Sequence, residues 1–139
     1  MASGKSTVAE LLAKRFEKGV HVRGDIFRRM IVSRREEVTP DASKEAIRQL
    51  NLRYTLAAST ADTYFGAGFT VVVQDNILGV WLQEFVTMVQ RRPLYVVVLC
   101  PRPDVVVRRE AERPKKGYGD WTIEALDNSL RRETPRIGL

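Results

Sequence analysis

Apolar positions along this chain follow two spacings, one helical and one extended, and they alternate in a regular order. Val8, Leu11, Leu12 and Phe16, with the stem of Arg15, fall on one helical face, and Lys18-Gly19 supplies a basic end and a stop. The β-branched run Val20-His21-Val22 then predicts a short strand ending at Gly24, and Asp25 stands as an N-cap ahead of Ile26, Phe27, Met30 and Ile31. From Pro40-Asp41-Ala42-Ser43 a long helix carries Ala46, Ile47, Leu50, Tyr54, Leu56, Ala57 and Ala61 and closes near Gly66 and Gly68. Phe69-Thr70-Val71-Val72-Val73 shows no polar alternation, which predicts a strand buried on both faces of a parallel sheet. Leu94-Tyr95-Val96-Val97-Val98-Leu99 repeats that pattern.

Between these two runs, residues 79–91 place Trp81, Leu82, Phe85, Val86 and Val89 at helical spacing, so the region reads as a right-handed strand, helix, strand crossover. A helix over residues 103–112 leads into the basic loop Pro114-Lys115-Lys116-Gly117-Tyr118-Gly119. Another helix follows over residues 122–133, and Pro135 precedes the start of a strand at Ile137. The fold class is α/β. Trp81, Phe85 and Trp121 read as packing residues, since aromatics at helical spacing usually belong to a core.

Composition narrows this picture. With 139 residues and 44% hydrophobic content the chain can bury one core, so a single domain is expected. No apolar run approaches the ~20 residues needed to cross a bilayer, so the expectation is a soluble, cytoplasmic protein with no membrane partner. Cys100 and His21 are the sole cysteine and histidine, which excludes an internal disulfide and argues against a zinc site. Lysine and arginine number 23 against 17 acidic residues, an excess that favours an anionic partner, whether nucleic acid, ATP or another phosphate compound.

The chemistry begins at the N-terminus. Ser3-Gly4-Lys5-Ser6-Thr7 contains Gly-Lys-Ser at the opening of a helix, the second half of the G-x-x-x-x-G-K-[ST] (Walker A) loop. Glycine lets the backbone turn its N–H groups toward phosphate oxygens, the lysine reaches the β- and γ-phosphates, and the serine hydroxyl ligates Mg²⁺. The triplet alone also reads as a basic N-terminal turn.

Taken with Val20-His21-Val22-Arg23-Gly24-Asp25-Ile26-Phe27-Arg28-Arg29-Met30-Ile31 and Val71-Val72-Val73-Gln74-Asp75-Asn76, the chain resembles the P-loop kinases that include chloramphenicol phosphotransferases and polynucleotide 5′-kinases. The resemblance implies a P-loop NTPase fold of the nucleoside-monophosphate-kinase type, three layers α/β/α around a parallel sheet. It implies ATP and Mg²⁺ as cofactors, bound by Ser3, Gly4, Lys5, Ser6 and Thr7, with Ser6 and Asp75 holding the metal. Asp25 would be the general base for an acceptor hydroxyl, and Arg28 would touch the acceptor. A basic lid over about residues 102–119 contributes Arg102, Arg108, Arg109, Arg113, Lys115 and Lys116, with Arg109 and Arg113 the leading candidates for stabilising the transferred phosphoryl group. Each position has a plainer reading: Asp25 as a helix cap, Arg28 as a solvated arginine, Asp75-Asn76 as a turn, and the lid as a charged surface helix.

In the architecture so implied, a strand ahead of the P-loop lies between the strand of 71–73 and that of 94–99, and a last strand and helix follow the final segment. Residues 1–139 therefore read as one P-loop kinase domain without its first strand and its last strand and helix. Strand exchange, a homodimer, a tighter sheet or a partner chain would have to satisfy the backbone left open, and ATP binding by the chain alone would be weak. The leading expectation is a kinase for a hydroxyl-bearing small molecule. The alternatives are a polynucleotide 5′-kinase and a non-catalytic P-loop module for dimerisation or nucleic-acid binding.

Overall fold

A computed structural model of the chain describes residues 3–112, 114 and 118–137. Two strands, β1 (Gly19–Arg23) and β2 (Thr70–Gln74), pair in parallel, with Val20 opposite Val71 and Val22 opposite Val73. Among the described residues, seven helical elements accompany them. Helix α1 (Lys5–Ala13) precedes β1, and α2 (Asp25–Arg29) and α3 (Lys44–Gly66) lie between the strands. After β2 come α4 (Trp81–Met88), α5 (Pro103–Glu112), α6 (Ile123–Asn128) and a π-helical turn, Ser129–Glu133. Among the described residues, no helix is long and apolar enough to cross a membrane.

Local chemistry accounts for the boundaries. Ser43 opens α3 by accepting the Ala46 backbone N–H at 3.0 Å, and Thr122 does the same for Ala125 at the head of α6. Gly68, at φ 88°, takes the left-handed turn that ends α3, a conformation open to glycine at little cost. Tyr54, Ala57 and Ala58 of α3 and Phe85 and Val89 around α4 form the buried cluster, with Val73, Ile77, Trp81 and Leu94 packed against it. Both α1 and α3 pack on β2 and share no comparable contact with each other, so they cover different faces of the strand.

Two expectations are corrected. Residues 94–99 do not join the sheet: they have no regular structure and no ladder partner among the described residues, and Tyr95 and Val97 are 72% and 74% exposed. The sheet consequently has two strands where the resemblance implies a wider one, and Ile137 begins no strand among the described residues. The reason is geometric, because a strand forms only against a neighbour and β2 is hydrogen-bonded on its β1 edge alone. The second correction concerns Asp25. Gly24 is the cap residue of α2, and Asp25 is the first helical residue, with no side-chain cap hydrogen bond.

Candidate functional site

The P-loop residues meet the C-terminal end of the sheet. Gly4 caps α1 with φ 81°, the left-handed conformation that glycine is there to supply, and its carbonyl accepts the Val8 N–H at 3.0 Å. The Lys5 ammonium donates to Ser3 Oγ at 2.9 Å. Ser6 Oγ donates to Gln74 Oε1 at 3.1 Å, which ties the loop to the last residue of β2. Thr7 is exposed on α1.

Just beyond the ends of β1 and β2, the Asp75 side chain packs closely over Gly24. A Cβ placed on Gly24 would lie 1.8 Å from Asp75 Oδ2, so this position admits no side chain without a shift. The contact brings Asp25, the residue after Gly24, beside the end of β2, and Gly24 N–H donates to Gln74 O at 3.1 Å. Lys5 and Asp25 therefore both belong to the C-terminal edge of the two strands, where parallel α/β sheets take ligands.

Asp25 is half-buried and faces cations. Arg29 Nη2 donates to its Oδ2 at 2.5 Å, and Arg23 Nε stands 3.6 Å from its Oδ1. Neither Arg23 Nε nor Asp25 Oδ1 has a hydrogen-bond partner among the described residues, although both atoms are buried. Arg29 thus holds Oδ2, while Oδ1, enclosed and without a hydrogen bond among the described residues, faces Arg23. Arg28 points elsewhere, into an ion pair with Glu37.

Asp75 is the most enclosed carboxylate of the group, its side chain 1% exposed. Arg53 of α3 grips it with two nitrogens, Nε donating to Oδ2 at 2.9 Å and Nη2 pairing with Oδ1, while Asn76 N–H donates to Oδ1 at 2.6 Å. Burial pushes the Arg53 guanidinium down from its ordinary value, partly offset by Asp25 and Glu37 nearby. Tyr54, next in sequence, donates its hydroxyl to Asn76 O at 2.9 Å, and burial pushes that hydroxyl up to about 12.

Of the basic residues expected in a lid, Arg109 reaches the P-loop: its Nη1 lies 3.9 Å from where a Cβ on Gly4 would stand. Arg102 instead folds back on Asp104 through two hydrogen bonds, 3.0 and 2.9 Å, and Arg108 is exposed. Arg113, Lys115 and Lys116 lie outside the described residues.

A metal at this site has few protein ligands to draw on. Among the described residues no group of three or more His, Cys, Asp or Glu could enclose an ion. Mg²⁺ keeps most of its waters and takes substrate phosphates with one or two protein oxygens; Ser6 Oγ is such an oxygen here, whereas the expected ligand Asp75 is 1% exposed, with both oxygens engaged by Arg53 and the Asn76 N–H.

A glycine-capped helix with Lys5 and Ser6 at the C-terminal edge of a parallel pair is the arrangement of a phosphate-binding loop. The sequence matches an AAA domain (AAA_33) over residues 1–135, nearly its whole length. The chain belongs to the AAA_33 family. No curated protein matches it. Membership makes this AAA_33 chain a P-loop-type nucleotide-binding domain, in a family that includes kinases.

Sequence reasoning missed Arg53, Gln74 and Glu37. Arg53 had a signal, since it sits three residues after Leu50 and four before Ala57, on the face that packs inward. Gln74 and Glu37 had none, because their roles depend on which loop comes to meet them.

Proposed function

We propose that this chain is the core of an ATP- and Mg²⁺-dependent phosphotransferase that moves the γ-phosphoryl group onto a hydroxyl of a small-molecule acceptor. The supporting observation is the meeting of the Gly4-Lys5-Ser6 turn and Asp25 at one edge of the sheet, through the Ser6–Gln74 and Gly24–Asp75 contacts. Lys5 and the backbone of Gly4 hold the polyphosphate. Asp25, its Oδ2 held by Arg29, accepts the acceptor's hydroxyl proton as the oxygen attacks in line. Arg109 arrives beside Gly4 to stabilise charge on the phosphoryl oxygens. Ser6 would hold Mg²⁺, and the ion would neutralise charge on the phosphates; Asp75, enclosed and paired with Arg53, would stand behind the site rather than ligate the ion. Arg53 sets the position of Asp75 through its paired contacts.

Arg28 bears on the acceptor. Its charge is already met by Glu37, which favours a neutral hydroxylated compound over a polynucleotide 5′ end bearing phosphates. The test offers labelled ATP with a panel of hydroxylated small molecules and, separately, with an oligonucleotide 5′-hydroxyl. Transfer to a small molecule, falling about 10²–10⁴-fold in Asp25→Asn, is the expected result. Transfer to the oligonucleotide alone would make the chain a polynucleotide kinase. Label transfer unaffected by Lys5→Ala and Asp25→Asn would remove the catalytic reading.

A further inference from the structure

The loop between α2 and α3 is fastened at its middle by one side chain. Gln49 of α3 uses both ends of its amide there: Nε2 donates to Arg34 O at 2.9 Å, and Oε1 accepts the Glu36 backbone N–H at 2.9 Å. Ser43, the N-cap of α3, adds a hydrogen bond from its Oγ to Glu36 Oε2. Between the two Gln49 contacts the backbone turns sharply. Arg34 sits at φ 54°, in the left-handed region that a non-glycine residue keeps only where its surroundings hold it.

The clamp sets the place of the next residue. Glu37 lies against Arg28 of α2 and pairs through Oε1 with Nη1. The pairing is one of charge, since the enclosed Nη1 makes no aligned hydrogen bond among the described residues. Arg28 is the more enclosed partner, its side chain 29% exposed against 65% for Glu37. Both charges act at the candidate base. The Arg53 guanidinium, pushed down chiefly by burial, also feels Tyr54, Arg28, Asp25 and Glu37. An anionic group approaching Arg28 therefore meets a carboxylate already in place, and like charges set side by side disfavour binding.

We propose that Glu37 is a specificity-determining residue whose carboxylate fills the anion position at Arg28. The site then takes acceptors with no negative group beside the reacting hydroxyl and turns away those that carry one. Gln49 is the positioning residue that presents Glu37. The proposal rests on the phosphotransferase reading for the identity of the acceptor side, but the charge selection itself requires no turnover. An ion pair this exposed contributes little to folding, so its loss is felt in recognition before it is felt in stability.

Thymidine and thymidine 3′-monophosphate share a free 5′-hydroxyl and differ by one phosphate, so the ratio of their affinities for the full-length chain, read by NMR titration, reports the selection. Glu37→Gln is expected to tighten the monophosphate about 5- to 10-fold and thymidine less than about 2-fold. The gain should vanish when Arg28→Gln is added, because Arg28 receives the phosphate. Gln49→Ala alters no charge yet releases the loop, and should give part of the gain, about 2- to 3-fold. No gain in Glu37→Gln overturns the proposal, as does a gain that survives the loss of Arg28. An equal gain in Glu36→Gln, which removes the same charge one residue away, overturns it too, and an unchanged ratio in Gln49→Ala ends the positioning role of Gln49. Failure of the phosphotransferase reading looks different: labelled phosphate then moves to no acceptor in any of these chains while the affinity ratios stand.

Discussion

Arg53 and Asp75 form an ion pair whose members are 12% and 1% exposed, and its energetics depend on both being present. Removing one partner strands a charge away from water, so Arg53→Met should cost about 3–5 kcal/mol in chemical denaturation, well beyond a surface arginine. Replacing both, as Arg53→Met with Asp75→Leu, should recover much of that loss, and the double-mutant cycle measures how much. Tyr54 carries a separate prediction. Its hydroxyl, 10.0 in its ordinary setting, is pushed to about 12 by burial, so in strong alkali the unfolded chain ionises before the folded one. Its contribution is therefore complete below about pH 10 and drains away as pH climbs toward 12, by on the order of 2–3 kcal/mol. Tyr54→Phe should flatten stability over that window while costing about 1 kcal/mol at neutral pH for the lost bond to Asn76 O, as a pH series of melts would show.

At the element scale, Gly24 and Asp75 meet just beyond the ends of β1 and β2. Gly24→Ala puts a methyl group 1.8 Å from Asp75 Oδ2, so either strand must move or Arg53 must release its carboxylate. Thermal melts should show a loss of about 1–3 kcal/mol, a size set by overpacking rather than by helix or strand propensity. The elements themselves were largely legible. The β-branched runs at 20–22 and 71–73, the amphipathic stripe of α3 and the span of α5 all stand where periodicity puts them. What periodicity could not show was pairing. The run at 94–99 has the composition of a buried strand, yet a strand is a relation between two backbones, and this run has no ladder partner among the described residues. The site was legible as residue types, since Gly4, Lys5, Asp25 and Asp75 do gather at one edge. Which cation meets which carboxylate was not, because Arg53 reaches Asp75 across 22 positions and Glu37 reaches Arg28 from a loop without periodicity.

At the scale of the whole molecule, the exposed apolar surface of residues 95–98 has a measurable consequence. Tyr95, Val96, Val97 and Val98 are all exposed, alongside an apolar cavity, a combination that should bind a hydrophobic dye in the native state. Val97→Lys, at a position 74% exposed, should lower dye fluorescence and reduce aggregation without lowering Tm by more than a few degrees. A large fall in Tm instead would place Val97 inside the packed structure.

The indole N–H of Trp121 donates to Val38 O at 2.8 Å, joining the segment after the basic loop to the loop that follows α2 across 83 positions. That bond couples two loops far apart in sequence through one of the chain's two tryptophans. Any change at either loop that breaks it should shift the emission of Trp121, read in a Trp81→Phe background where that indole is the remaining fluorophore of its kind.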